Sequence, residues 1–203
     1  MLVKELDENV VNDIGHAFGY YDYGTERGLV SVCSSQEKTA AYIRGFVRAV
    51  FQSGLLYTTS ERGEGYIAYK LPDQKIRMSA ILPLLKGVFE AMTLKEMIHF
   101  ARCMSGGGTS LRTRLDKEKK PYIYVGMVCV REKFQGQGYM RQVLDMAFKE
   151  GNRLGVPVVL DTDAKSKCDK YMHLGMQLDG THDLGDLGTL YDLIKYPDTA
   201  AQK

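Results

Sequence analysis

The four cysteines of the chain, Cys33, Cys103, Cys129 and Cys168, form no CxxC pair, and no histidine completes a zinc-ligand spacing with them. Neither a disulfide framework nor a zinc site is suggested, and the expectation is four reduced, mostly buried thiols. Long apolar runs are missing as well. No stretch approaches the eighteen or so residues of a membrane span, and the N-terminal MLVKELDEN is acidic where a secretory leader would be basic and then apolar. The expected location is cytoplasmic, without a membrane partner. Charge of one sign is not in excess: a formal net charge of +2 argues against a nucleic-acid partner held by phosphate neutralisation. Internal repeats and low-complexity tracts are absent. What is present, 44% hydrophobic and 26% charged residues over 203 positions, is the composition of a folded protein long enough to bury one sizeable core.

The first half reads as helices and a hairpin. Leu2 to Glu5 is a short strand candidate, and Asp7 is placed to cap a helix over Glu8 to Phe18 with Val10, Val11 and Ile14 on one face. Ser34 followed by Glu37 has the capping-box spacing, and the helix it would open carries Ile43, Phe46, Val47 and Val50 as far as Gly54. Leu55 to Glu61 and Gly65 to Pro72 predict an antiparallel hairpin. Helices follow over Leu84 to Met92, with Pro83 at the first helical position, and after Thr93, which has Glu96 three residues on. Ser105 to Lys120 shows no buried face and is expected to be a mobile, solvated loop.

From Pro121 the pattern sharpens. Tyr122 to Arg131 is strand-like. Val143, Leu144, Ala147 and Gly151 then recur at helical spacing up to Gly155, and VPVVLDT (Val156 to Thr162) has the apolar, β-branched character of a strand buried on both faces. Strand, helix and strand predict a right-handed parallel crossover. A short helix near Ser166 to Leu174 and a closing antiparallel pair, Met176 to His182 and Thr189 to Lys195, complete the reading.

Between the first strand and helix of that crossover lies FQGQGYMR, Phe134 to Arg141. Two glycines spaced by one residue, opening directly into a helix, expose unpaired backbone N–H groups at the positive end of the helix dipole, which is an anion site. A P-loop would need Lys and Ser or Thr after the last glycine, where Tyr139 and Met140 stand. A dinucleotide fingerprint would need glycine at Arg141, although Asp161 supplies an acid at the end of the next strand. A tight strand-to-helix turn with no ligand is the plain alternative.

A third pattern matches. QGQGYM (Gln135 to Met140) resembles the Q/R-x-x-G-x-G/A signature with which GNAT superfamily N-acetyltransferases hold the pyrophosphate of acetyl-coenzyme A. Tyr122 to Gly138 is similar to the strand-and-loop block of that superfamily's puromycin N-acetyltransferase-like branch. DKYMHLGM (Asp169 to Met176) resembles its later motif of Tyr followed four residues on by Gly and an aromatic. The resemblance spans about the last 75 residues. It departs at Met140, in place of a small residue, and at Met176, in place of Phe.

The resemblance implies an α/β (α+β) GNAT-type fold, a mixed central sheet with helices on both faces. It implies a single domain over 1–203, with 1–120 forming the acceptor side and 121–197 the acetyl-coenzyme A core. The activity implied is acetyl transfer to a primary amine of a small-molecule acceptor by direct attack. Gln135, Gly136, Gln137, Gly138, Tyr139 and Met140 would hold the pyrophosphate, while the backbone of Val128, Cys129 and Val130 would pair with the pantetheine arm. Tyr171 matches the family's general acid, against a commoner fate as a packed tyrosine. Tyr122 and Tyr124 share a strand face and are candidates for the acceptor wall. For the general base the sequence leaves Tyr122, Tyr124, His99, Glu132 and Asp161 open. Cys129 in mid-strand reads as a structural thiol rather than a nucleophile, and Lys165, Lys167 and Lys170 are candidates for the coenzyme's 3′-phosphate. A non-catalytic coenzyme A sensor or scaffold is the competing function, and a homodimer is compatible with the sequence.

Overall fold

The computed structural model describes residues 1–198, so residues 199–203 of the expected 1–203 unit lie outside the described residues. Six strands form one mixed sheet in the order β1-β2-β3-β4-β6-β5. They are β1 Leu56–Thr58, β2 Gly65–Lys70, β3 Ile123–Val130, β4 Val158–Thr162, β5 Gln177–Asp183 and β6 Thr189–Lys195. β3 and β4 are parallel and the other neighbours antiparallel. The helices are α1 Glu8–Gly19, α2 Leu29–Val32, α3 Gln36–Gln52, α4 Ile81–Ala91, α5 Leu94–Gly106, α6 Leu111–Lys117, α7 Tyr139–Leu154 and α8 Lys165–His173.

Both faces of the sheet are covered. α7 and α8 bury Val143, Leu144, Ala147 and Tyr171 against Ile67, Ile123, Val158 and Leu193. α1 and α3 bury Val11, Ile14, Ile43 and Val47 against Leu56, Ala68, Met127 and Cys129 on the other side. Each fully buried Val, Leu or Ile contributes about 1.5–3 kcal/mol, so this two-sided burial is what holds β3 and β4 at the centre. A change of parity within β3 lets one strand serve both cores. Ile123 and Val125 point to α7, whereas Met127 and Cys129 point to α1 and α3. The register explains it: Tyr69 faces Val125 and Ala68 faces Met127, leaving Gly126 as an inserted bulge residue.

Several local expectations hold. Asp7 caps α1 by accepting from Asn9 N, and Thr93 and Glu96 form the reciprocal capping box of α5. Gly155, at φ 66°, ends α7. Three cysteines are buried and Cys103 is partly so, all as free thiols. Others are corrected. Ser35, not Ser34, caps α3 by accepting from Lys38 N at 3.2 Å. Ser34 lies outside that helix in a left-handed conformation, φ 59°, and its hydroxyl donates to Glu96. α4 begins at Ile81, so Pro83 sits inside the first turn, where a missing N–H removes no helical bond. Leu2 to Glu5 makes only an isolated bridge, Leu2 with Tyr57.

The largest correction concerns Ser105 to Lys120. Most of it is helical, as the end of α5 and as α6, and Leu111 and Leu115 are buried against Val159 and Ile194. Two apolar residues four apart suffice because the sheet supplies the rest of the cluster. Asp192, buried in β6, fixes the start of α6 by accepting from Leu111 N at 2.6 Å and from His182 Nε2 at 2.7 Å. His182 Nδ1 faces the carbonyl oxygen of Gly107 at 2.8 Å. A carbonyl only accepts, so this nitrogen donates, and Nε2 stands against the Asp192 carboxyl, an arrangement that favours the charged ring. Burial opposes that charge, but Asp192 and the Gly107 carbonyl outweigh it and raise the His182 pKa above the ordinary value. Among the described residues, no helix is long and apolar enough to cross a membrane, and no group of three or more His, Cys, Asp or Glu is placed to hold a metal ion.

Candidate active site

β3 and β4 are in register only at Ile123 with Val158 and Tyr124 with Val159, although β3 continues to Val130 and β4 to Thr162. Beyond those pairs the strands part. A cavity of about 720 Å³ occupies the gap, bordered by β3 from Tyr124 to Val130, by the end of β4, by the Phe134–Met140 turn and by Tyr171. Its size falls within the range of small-molecule sites, about 300–1,000 Å³.

The exposed edge of β3 has a definite chemistry. Arg131 N donates to Glu64 O at 3.0 Å, so Cys129, two residues back, also turns its main chain towards β2, where it faces Tyr66. Val128 and Val130 turn theirs to the opposite edge, into the gap. Gln135 Nε2 donates to the Val130 carbonyl at 3.3 Å, which leaves a short unpaired strand edge running towards the glycine turn. Of the three residues expected to offer backbone groups here, Cys129 directs its N–H and C=O to β2, although the residue still borders the cavity. Its side chain is buried among α1 and α3, and burial pushes its thiol up to about 12. That suits a structural thiol and not a nucleophile.

The turn itself follows from two left-handed residues. Gly136 and Gly138 have φ of 73° and 82°, and a Cβ on either would meet nothing within 4 Å. Here glycine meets a conformational need, and the space beside it is open. Gly138 is the N-cap of α7 and provides no side-chain cap. The first N–H groups of α7, from Tyr139 onward, thus face open space with the helix dipole behind them. Met140 packs partly against the α7 core while still bordering the cavity, and Met176 is fully enclosed in that core. Phe134 packs edge-on against Tyr139 at 5.9 Å, and Gln137 Nε2 closes the loop onto the Lys133 carbonyl at 3.2 Å.

Tyr171 lies on the buried face of α8 and reaches the cavity. Burial raises its phenol pKa well above the ordinary value, with the charge of Asp163 adding to it. The group stays protonated at any physiological pH. Asp163 ties the N-terminal segment to this wall, accepting from Tyr23 Oη, Leu29 N and Lys167 Nζ, each at 2.7 Å. Burial would raise the Asp163 pKa, but Lys167 and these donors hold it below the ordinary carboxylate value.

Opposite Tyr171 stands a second cluster. Tyr124 and Asp161 line the cavity, and Arg112 lies behind them with its guanidinium carbon 3.8 Å from the Tyr124 ring centroid. Arg112 Nη1 is 3.9 Å from Asp161 Oδ1, and neither that oxygen nor Arg112 Nε has a hydrogen-bond partner among the described residues. Burial raises the Asp161 pKa, with Arg112 pulling the other way. The result is a carboxylate at the cavity wall, incompletely satisfied and more basic than usual.

Only some expected site residues converge. Tyr122 shares the face of Tyr124, but its hydroxyl donates to Asp116 Oδ1 at 2.8 Å and it does not line the cavity. His99 and Glu132 lie outside the lining also, so Tyr124 and Asp161 are the base candidates that reach it. Of the three lysines, Lys165 pairs with Asp169 and Lys167 with Asp163, while Lys170 is exposed at the cavity edge near the Tyr21 ring. Arg112 was not legible, because it belongs to the helix read as a loop. The Asp163–Lys167 ion pair has the i,i+4 spacing that a sequence shows directly.

No family model and no curated protein matches the sequence. Solved structures do. A histone acetyltransferase HPA2-related acetyltransferase from Corynebacterium glutamicum is similar over 99% of this chain and 97% of its own, at 15% identity and a TM-score of 0.63. Arylalkylamine N-acetyltransferase 2 from Aedes aegypti is similar over 96% and 98%, at 11% identity and 0.54. PH1933 from Pyrococcus horikoshii is similar over 98% and 97%, at 13% identity and 0.54. The chain has the fold of these three structures, two of which are acetyltransferases. Within that acetyltransferase fold the cavity lies where β3 and β4 separate, at the carboxyl ends of two parallel strands, which is the usual ligand position of a parallel pair in an α/β sheet.

Proposed function

We propose that the chain is an acetyl-coenzyme A-dependent N-acetyltransferase acting on a primary amine of a small molecule with an apolar body. The observation that carries the reading is the single cavity joining three features: an uncapped, glycine-lined helix start, an unpaired strand edge, and the side chains of Tyr171 and Asp161. Residues 121–197 form the coenzyme side and 1–120 the acceptor side of one unit. Assignment to the puromycin N-acetyltransferase-like branch rests on the sequence motif alone.

The cradle fits a pyrophosphate and its pantetheine arm. The N–H groups at the start of α7 would take the pyrophosphate, Gly136 and Gly138 would admit it, and the main chains of Val128 and Val130 would pair with the arm as an added strand. Bound there, acetyl-coenzyme A supplies an activated thioester carbonyl. Tyr171 holds its proton at Oη, at the cavity wall, as a general acid must. Asp161 accepts a proton from the incoming ammonium through a carboxylate oxygen, directly or by one water, and Arg112 limits how far burial raises its pKa. Tyr124 fixes one side of the acceptor. Tyr42, Phe46, Phe100, Met104 and Leu187 supply an apolar wall, which favours an amine on an apolar or aromatic body over a polycation.

Steady-state release of coenzyme A thiol tests this, using a panel of phenylethylamine, spermidine, an aminoglycoside and a lysine peptide. The expected result is turnover highest with phenylethylamine and dependent on Asp161. Binding of acetyl-coenzyme A without turnover of any amine would favour the sensor or scaffold reading.

A further inference from the structure

α4 is bound on one side only. Its inner face is fixed on α3 by a backbone-to-backbone crossing at Gly45 and Gly87, where a Cβ on Gly45 would lie 2.8 Å from the Gly87 Cα. Its outer face carries Met78, just before the helix, and Ile81, Leu82, Leu85 and Phe89, all exposed at one helical stripe. Met78, Leu82 and Phe89 are 81%, 76% and 68% exposed. The stripe presents on the order of 600 Å² of apolar surface, the upper end of what a monomer leaves uncovered. Ile76 and Leu94, which flank it in sequence, are exposed too.

We propose that this face is covered by α4 of a second copy of the chain, in an antiparallel, twofold pairing whose axis passes between Leu82 and Leu85, the middle of the exposed stripe. Two arguments select that occupant. Two such stripes together remove on the order of 1,200 Å², which reaches the size of a stable interface. The register is self-complementary as well: across an axis placed there, Met78 of each copy faces Phe89 of the other while Leu82 faces Leu85, so apolar side chains meet along the whole stripe. α4 itself carries one lysine and one glutamate, not the Lys- and Arg-rich polar face of a helix that lies on a membrane. The pairing leaves the cavity free, since none of the five stripe residues lines it.

Sedimentation velocity of the full chain at micromolar concentration tests the pairing, with circular dichroism confirming fold in every variant. The parent is expected to sediment at twice the chain mass. L82E and F89E should each weaken association about thirtyfold or more, with acetyl-coenzyme A binding unchanged. A monomeric parent, a dimer that survives the L82E/F89E double variant, or a monomer that pellets with anionic vesicles would each overturn the proposal.

Discussion

Gly138 and Gly155 stand at the two ends of α7, and the pair allows a controlled test of the cradle. Both are left-handed, with φ of 82° and 66°, and at neither would a Cβ meet an atom within 4 Å. Replacement by alanine therefore adds no clash at either end. It adds backbone strain alone, about 1–2 kcal/mol in each case, which for a chain of this length lowers the melting temperature by about 2–8 °C. The two ends differ in what lies in front of them. At Gly138 the relaxing backbone re-aims the first N–H groups of α7. Losing one charge-assisted hydrogen bond of about 1.5–3 kcal/mol weakens coenzyme A binding by about ten- to a hundredfold. At Gly155 nothing in the proposed function is touched, so G155A is expected to lose comparable stability with affinity within about twofold of the parent. Calorimetric titration with coenzyme A, alongside thermal melts, reads both effects. If G138A and G155A lose stability alike and bind coenzyme A alike, the turn is only a turn and the reasoning fails.

Three further outcomes are expected. Y171F should lower turnover by on the order of a hundredfold while leaving the coenzyme A dissociation constant unchanged; equal turnover would make Tyr171 a packing residue. D161N should lower kcat/KM at neutral pH by at least about a hundredfold and abolish the acid limb of its pH profile, a limb that should lie above the ordinary carboxylate pKa of about 3.9 because burial raises Asp161; a persisting limb would assign it to another group. For His182 the folded pKa lies above the unfolded one, so its contribution is fully present below about pH 6.5 and is lost as pH rises through the folded value. Melts of the parent should show a loss of stability across that window which H182Q lacks, and a parallel pH dependence in the variant would refute the imidazolium assignment.

What the sequence disclosed follows from how local each signal is. The glycine turn, the α7 stripe and Tyr171 on a short helix are short-range patterns, and the structure places them as read. α6 is not local: Leu111 and Leu115 form a helix face only because Val159 and Ile194 meet them, so a charge-rich stretch read alone as a loop, and Arg112 was lost with it. The bulge at Gly126 is equally silent, because YVGMVCV alternates plausibly in either parity, and only pairing with Tyr69 and Ala68 shows where the strand changes face. That change sends the Cys129 side chain to the α1 and α3 side of the sheet and leaves its main chain facing β2. The parting of β3 from β4, which creates the cavity, depends on what packs beneath each strand and leaves no mark in either segment.

The most direct test of the central claim is an amide chemical-shift titration of the labelled chain with coenzyme A. The expected result is that the largest shifts fall at Val128, Val130 and Gly136 to Arg141, with Leu56 to Thr58 of the distant edge strand unmoved. Saturable shifts confined to another surface, or none in a chain whose spectrum is well dispersed, would contradict the assignment of this cleft to the coenzyme.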